Sequence, residues 1–151
     1  MRDLGTIVDL HLDLGKHVNN ICKSASFVIK NIGRIRKYLS PSDCERIIHA
    51  FITSKLDYSH AILYGLPQAQ LDKLQRIENT AARIVSKTKK SQHITPVVHS
   101  LHWLPIHKRI VFKQLLLTYK ALNSQVPSYI SDLLTKYNPS TIRYQIPSHC
   151  P

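Results

Sequence analysis

Glycine is scarce in this chain, at 4 of 151 residues. All-β barrels and sandwiches need many glycine-bearing turns, so the scarcity argues against them. Acids are scarce too, with 9 Asp and Glu against 21 Lys and Arg. Cysteine is limited to Cys22, Cys44 and Cys150. An odd number without close spacing provides neither a disulfide framework nor a paired-Cys zinc motif, and a reducing, intracellular compartment is the simplest expectation. No apolar run approaches the roughly 18 residues a membrane span needs. Met1-Arg2-Asp3-Leu4 begins no signal-peptide core. Internal repeats and low-complexity tracts are absent.

The few carboxylates are also scattered. Two-metal polymerases and nucleases need clustered acids to hold their ions. Here Asp3, Asp9, Asp13, Asp43, Glu45, Asp57, Asp72, Glu78 and Asp132 include no adjacent pair. Asp9 and Asp13 could share a helix face, but they read better as a solvated helix start. His99 and His102 lie three apart with His107 nearby, yet no Cys or acid follows to complete a zinc set, and surface or phosphate-facing imidazoles are the simpler reading. Cys44 and His49 fall on a helix that carries core residues, so a small buried thiol is expected rather than a nucleophile. There is no glycine-rich phosphate loop and no nucleophile elbow. The expectation is a chain with no catalytic residue, metal or cofactor of its own.

What is present is globular composition and positive charge. Hydrophobic residues make up 43% and charged residues 20%, enough for one real core at this length. The net charge of +12 makes a polyanion, nucleic acid above all, the favoured partner. The alternative is a basic surface kept for solubility, or one that pairs with an acidic neighbour.

Helical spacing dominates the chain. Between Lys16 and Leu39, apolar residues recur at Val18, Ile21, Ala25, Val28, Ile32, Ile35 and Leu39, in alternating steps of three and four. The same spacing suits a short coiled coil, but zipper charges are missing, and a helix packed on a core is preferred. Ser40-Pro41-Ser42-Asp43 starts a second helix, with Ser40 as N-cap, Pro41 at the first position and Asp43 favouring the positive helix end. Ile47, Ile48, Phe51, Ile52 and Leu56 should form its buried face. After Gly65-Leu66-Pro67, a third helix carries Leu71, Leu74, Ile77, Ala81, Ile84 and Val85 inward. Thr95 to Leu101 and Ile106 to Leu122 follow as helices, and Val126-Pro127-Ser128 begins a last short one through Leu134. Leu4 to Leu10 is the one marginal strand. The predicted fold is an all-α bundle of about five or six helices. Residues 1–13 would be a remnant strand, 14–137 the helical domain, and 138–151 a loose, proline-containing tail.

Three basic clusters are the candidate binding residues. One is Lys30, Arg34, Arg36 and Lys37. Another is Arg83, Lys87, Lys89 and Lys90, and the third is His102, Lys108, Arg109 and Lys113 around Trp103 and His107. Cations beside a ring suit contact with a phosphate backbone. Trp103 lies between Leu101 and Leu104, and a core anchor is preferred over a base platform.

The ordered blocks Ile47-Ile48-His49-Ala50-Phe51, Ser54-Lys55-Leu56-Asp57-Tyr58, Gly65-Leu66-Pro67 and Leu74-Gln75-Arg76 belong together. Ala81-Ala82-Arg83-Ile84-Val85, His93-Ile94-Thr95-Pro96-Val97 and Leu101-His102-Trp103-Leu104-Pro105 continue the series. Arg109-Ile110, Thr118-Tyr119-Lys120-Ala121-Leu122 and Pro127-Ser128-Tyr129-Ile130 complete it. Over about residues 4–139 the chain resembles the region after the palm in non-LTR, LINE-type, jockey-like retrotransposon reverse transcriptases. That resemblance implies a helical thumb that contacts a template–primer RNA/DNA duplex beside its palm domain, in the nucleus. The family's catalytic Asp pair lies upstream of this region and is absent here. Two departures stand out. Ser59 occupies a place where relatives often carry Cys. After Asn138-Pro139-Ser140 the expected Arg- and Ser-rich continuation gives way to Thr141-Ile142-Arg143-Tyr144-Gln145, as a frameshift or truncation would leave it.

Overall fold

A computed structural model describes residues 2–3, 6–7, 14–58 and 62–135. Its helices are α1 (Gly15–Ile35), α2 (Pro41–Ile48), α3 (Ser54–Tyr58), α4 (Gln68–Ser86), α5 (Thr95–Ser100), α6 (Ile106–Leu122) and α7 (Ser128–Ser131). A π-helical turn, His49–Thr53, joins α2 to α3 as one rod. Counted that way, the described residues hold six helices, and the all-α bundle is the observed fold. At the N-terminus, Arg2–Asp3 (β1) and Thr6–Ile7 (β2) pair antiparallel with each other. This short self-paired ribbon replaces the single Leu4–Leu10 strand, whose remaining residues lie outside the described ones. So does the whole of the expected loose tail, 138–151.

Helix ends follow their local chemistry. Ser40 caps α2: its hydroxyl oxygen accepts from the Asp43 N–H at 3.1 Å, with Pro41 in the first turn. α4 closes at Lys87, which takes the left-handed conformation (φ 56) usually left to glycine. The Thr88 N–H then returns to the Arg83 carbonyl at 3.1 Å. Gly65 holds a left-handed turn (φ 83) between α3 and α4.

Contacts divide the chain within α6, between Leu115 and Leu116. In the first unit, α1 and α4 pack along their length and run parallel. The Lys73 ammonium reaches the Asn19 side chain near their starts, and the Arg36 guanidinium reaches the Ile84 carbonyl near their ends. Val18, Ile21, Ala25, Ile29 and Ile32 of α1 are buried, as are Leu71, Leu74, Ala81, Ala82 and Val85 of α4. Cys44, Ile48, Ile52 and Leu56 complete this core, together with Trp103, Ile106 and Ile110. In the second unit, the end of α6 buries Ala121, whose carbonyl accepts from the Ser131 hydroxyl at 3.3 Å.

Two expected core positions are not in the core. Ile35 is 47% exposed and Phe51 is 55% exposed. A straight helix repeats every 3.6 residues, so a strict seven-residue pattern slips by about 20° per heptad. Over α1 that slip moves the inward line off Ile35 and onto Ile29 and Arg36, leaving Val28 half-buried and Ile32 buried as expected. In the α2–α3 rod, the buried residues fall every four positions. The π turn, with its wider i→i+5 closure, absorbs the drift that spacing would otherwise cause, leaving Phe51 outside.

Candidate nucleic-acid interface

The first two basic clusters meet. Arg36 follows α1 in the 3-10 turn Arg36–Tyr38 and is only 7% exposed. Its Nε donates to the Ile84 carbonyl and its Nη2 to the Val85 carbonyl, each at 2.7 Å. Its Nη1 donates to the Leu39 carbonyl, also at 2.7 Å. The bonds to Ile84 and Val85 satisfy carbonyls of the last turn of α4, where cations also complement the negative helix end. Arg36 thereby draws the end of α1, carrying Arg34 and Lys37, to the end of α4, carrying Lys87.

Arg83 organises the loop that follows. Its Nη1 donates to the carbonyls of Lys89, at 2.8 Å, and Gln92, at 2.9 Å. A turn from the Gln92 N–H to the Lys89 carbonyl closes the same segment. The side chains of Lys87, Lys89 and Lys90 are exposed on this pinned backbone. Lys30, Arg34 and Lys37 are exposed as well, and the Lys37 ammonium lies 4.7 Å over the Tyr38 ring. Arg36 and Arg83 are thus builders of the basic end, with guanidinium groups committed to carbonyls.

The third cluster separates into inward and outward groups. His102, Lys108 and Lys113 are exposed, with His102 in a left-handed turn (φ 55). Arg109 points inward. Its Nη2 lies 2.8 Å from Oε1 of Glu78, a carboxylate only 2% exposed. That oxygen makes no in-line hydrogen bond, so the contact is ionic in character. Arg109 Nη1 donates to Asp57 Oδ1 at 3.1 Å, and Nε donates to the Leu104 carbonyl at 2.7 Å. Gln75 completes the network. Its Nε2 donates to Glu78 Oε2 at 2.8 Å, while its Oε1 accepts the Ile106 N–H at 2.9 Å. Burial pushes the Glu78 carboxyl above its ordinary pKa, against the opposing pull of Arg109.

Trp103 is 6% exposed, its Nε1 donates to Glu45 Oε1 at 3.0 Å, and its ring centroid lies 5.2 Å from that of His49. It is a core anchor. Cys44 is fully buried, and burial raises its thiol pKa, so thiolate character is suppressed. Among the described residues, no three His, Cys, Asp or Glu group so as to hold a metal ion, and no helix is long and apolar enough to cross a membrane.

Sequence reasoning missed Glu78 as a buried acid. The signal was its register: Leu71, Leu74, Glu78, Ala81 and Val85 lie on one line of α4. No known protein family, curated protein or solved structure matches this chain.

Proposed function

We propose that this chain is a non-catalytic, nucleic-acid-binding helical module, related to the post-palm thumb of a non-LTR reverse transcriptase. The observation that carries this reading is the basic end where α1 and α4 finish together. Two acids, Glu78 and Asp57, are ion-paired with Arg109, away from these cations. Arg34, Lys37, Lys87, Lys89 and Lys90 remain exposed. Phosphate contacts of this kind carry affinity without base information, so binding is indifferent to sequence. The nuclear location and the template–primer partner rest on the family resemblance alone.

The test is salt dependence of binding by the whole chain. Each neutralised phosphate adds about 0.9 to the slope of log K against log salt on B-DNA. Changing Lys87, Lys89 and Lys90 together to Ala should lower that slope by roughly 2–3. An unchanged slope would remove this surface from the contact. The basic end would then be better explained as a dock for an acidic partner domain, the second reading its charge allows. Template-dependent nucleotide incorporation by the purified chain, lost on adding a chelator, would refute the non-catalytic part.

A further inference from the structure

We propose that the outward face of α1 binds an unpaired nucleic-acid strand, with Phe27 as the surface on which a base stacks. This rests on the nucleic-acid reading above and specifies its ligand. Lys16, Lys23, Phe27, Lys30 and Arg34 recur in helical steps and are all exposed. At about 100° per residue they fall within an arc of roughly 60°, opposite the buried line through Val18, Ala25 and Ile32. The stripe is about 27 Å long at about 1.5 Å per residue.

Two features set this face apart from an ordinary solvated helix surface. From Gly15 to Tyr38 the sequence holds six cations, Lys16, Lys23, Lys30, Arg34, Arg36 and Lys37, and no acid. Solvated faces usually mix signs, because opposite charges three or four residues apart stabilise a helix. This face forgoes that gain. In its middle, Phe27 is 67% exposed. Beside the ring, a groove of about 440 Å³ lies between α1 and α4, lined by Ser26, Phe27, Ile29, Lys30, Ile77 and Thr80.

Charge complementarity calls for a polyanion, and the ring selects among polyanions. A duplex presents its phosphates and keeps its base faces stacked, so it offers a lone phenyl ring nothing to pair with. An unpaired strand offers both groups at once. Its phosphates follow the cations, and any base can stack on an aromatic ring because every base has a π-face. Lys30, one turn from Phe27, stands where the phosphate beside the stacked base would lie.

The experiment measures binding of the full chain by fluorescence anisotropy. The probes are a labelled oligothymidylate, an abasic oligomer of equal length, the matching duplex and polyglutamate. Oligothymidylate should bind more tightly than the abasic strand. Phe27→Ala should weaken oligothymidylate binding about 5- to 150-fold, the range for losing one stacked base. It should leave abasic binding and the salt slope unchanged, and Phe27→Trp should retain affinity. Changing Lys23, Lys30 and Arg34 to Ala should lower the single-strand salt slope by about 2. Equal binding of the thymidylate and abasic strands overturns the stacking proposal, as does an unaffected Phe27→Ala variant, even if duplex binding survives. Polyglutamate binding as tightly as oligothymidylate overturns it in favour of an acidic protein. If no nucleic acid binds even at low salt, the underlying nucleic-acid reading falls, and this inference with it.

Discussion

Removing the Arg109 guanidinium should cost the fold about 3–5 kcal/mol, because it strands a buried carboxylate. Glu78 is 2% exposed and cannot recover its hydration without opening the packing of α4. Arg109→Met keeps most of the aliphatic stem and takes away the charge, so the loss is chiefly electrostatic. Small domains are stable by about 5–15 kcal/mol in all, so the variant should remain measurable by urea unfolding but be clearly weakened. Glu78→Gln in the same chain should restore much of the loss, since a neutral amide is far cheaper to bury. The interaction energy from the four-variant cycle should reach about 2–3 kcal/mol, the upper range for residues in contact. Simple additivity of the two changes would refute the account.

The pH dependence supplies a second check on the same pair. Glu78 has a folded-state pKa above its unfolded value, so the folded chain holds this proton more tightly. Its contribution to stability therefore falls as pH rises from the ordinary carboxylate value, 4.5, through the folded value. Without Arg109 the folded value climbs further. The deficit of Arg109→Met relative to the parent should then be largest at neutral pH and shrink on acidification. His17 has the opposite tendency. Burial lowers its pKa, so protonating it below the ordinary imidazole value of 6.5 destabilises the fold. That effect is common to both chains and cancels in the difference. A deficit that is flat with pH would show that Glu78 is not the group left unpaired.

Other positions make simpler tests. Trp103→Ala should cost about 3–5 kcal/mol in urea unfolding and leave nucleic-acid affinity unchanged under conditions where the variant is folded. Arg36→Met should cost about 1.5–3 kcal/mol, the worth of a hydrogen bond to a charged group, by leaving carbonyls at the end of α4 unserved. Its salt slope for binding should match the parent, because that guanidinium is spent inside the protein. Ser40→Ala should cost about 0.5–2 kcal/mol through the lost cap, read as a lower thermal midpoint with unchanged binding.

The all-α class, the Ser40 cap and the burial of Cys44 on an apolar helix line were legible because each depends on residues close in the chain. Periodicity reports a helix wherever it forms, and capping needs only a few neighbours. The meeting of the α1 and α4 ends was not legible, because Arg36 and Ile84 are far apart in sequence and nothing local announces their bond. Nor does composition tell a binding cation from a structural one. Arg36 and Arg109 turn into the protein and Arg83 is bonded to loop carbonyls, while the Lys beside them stay exposed. The planar fork of Arg, with five fixed donors and weak hydration, matches carbonyls and carboxylates inside a fold better than the strongly hydrated ammonium of Lys.

A finer reading of register would have separated two of those arginines beforehand. At about 3.6 residues per turn, Arg36 stands five turns below Val18, on the same line as Ile29 and Ile32. It continues the buried stripe of α1 and has to find acceptors where that stripe meets α4. Arg34 stands on the opposite line, above Phe27 and Lys30, and has no reason to turn inward. Arg109 is placed like Arg36, one turn beyond Ile106 and next to Ile110, both buried. A cation on an apolar line implies an acceptor inside the protein, and Glu78 on the apolar line of α4 is the complementary case. Lys16, Lys23, Lys30 and Arg34 lie off the buried line of α1 and are exposed, with no acid among them.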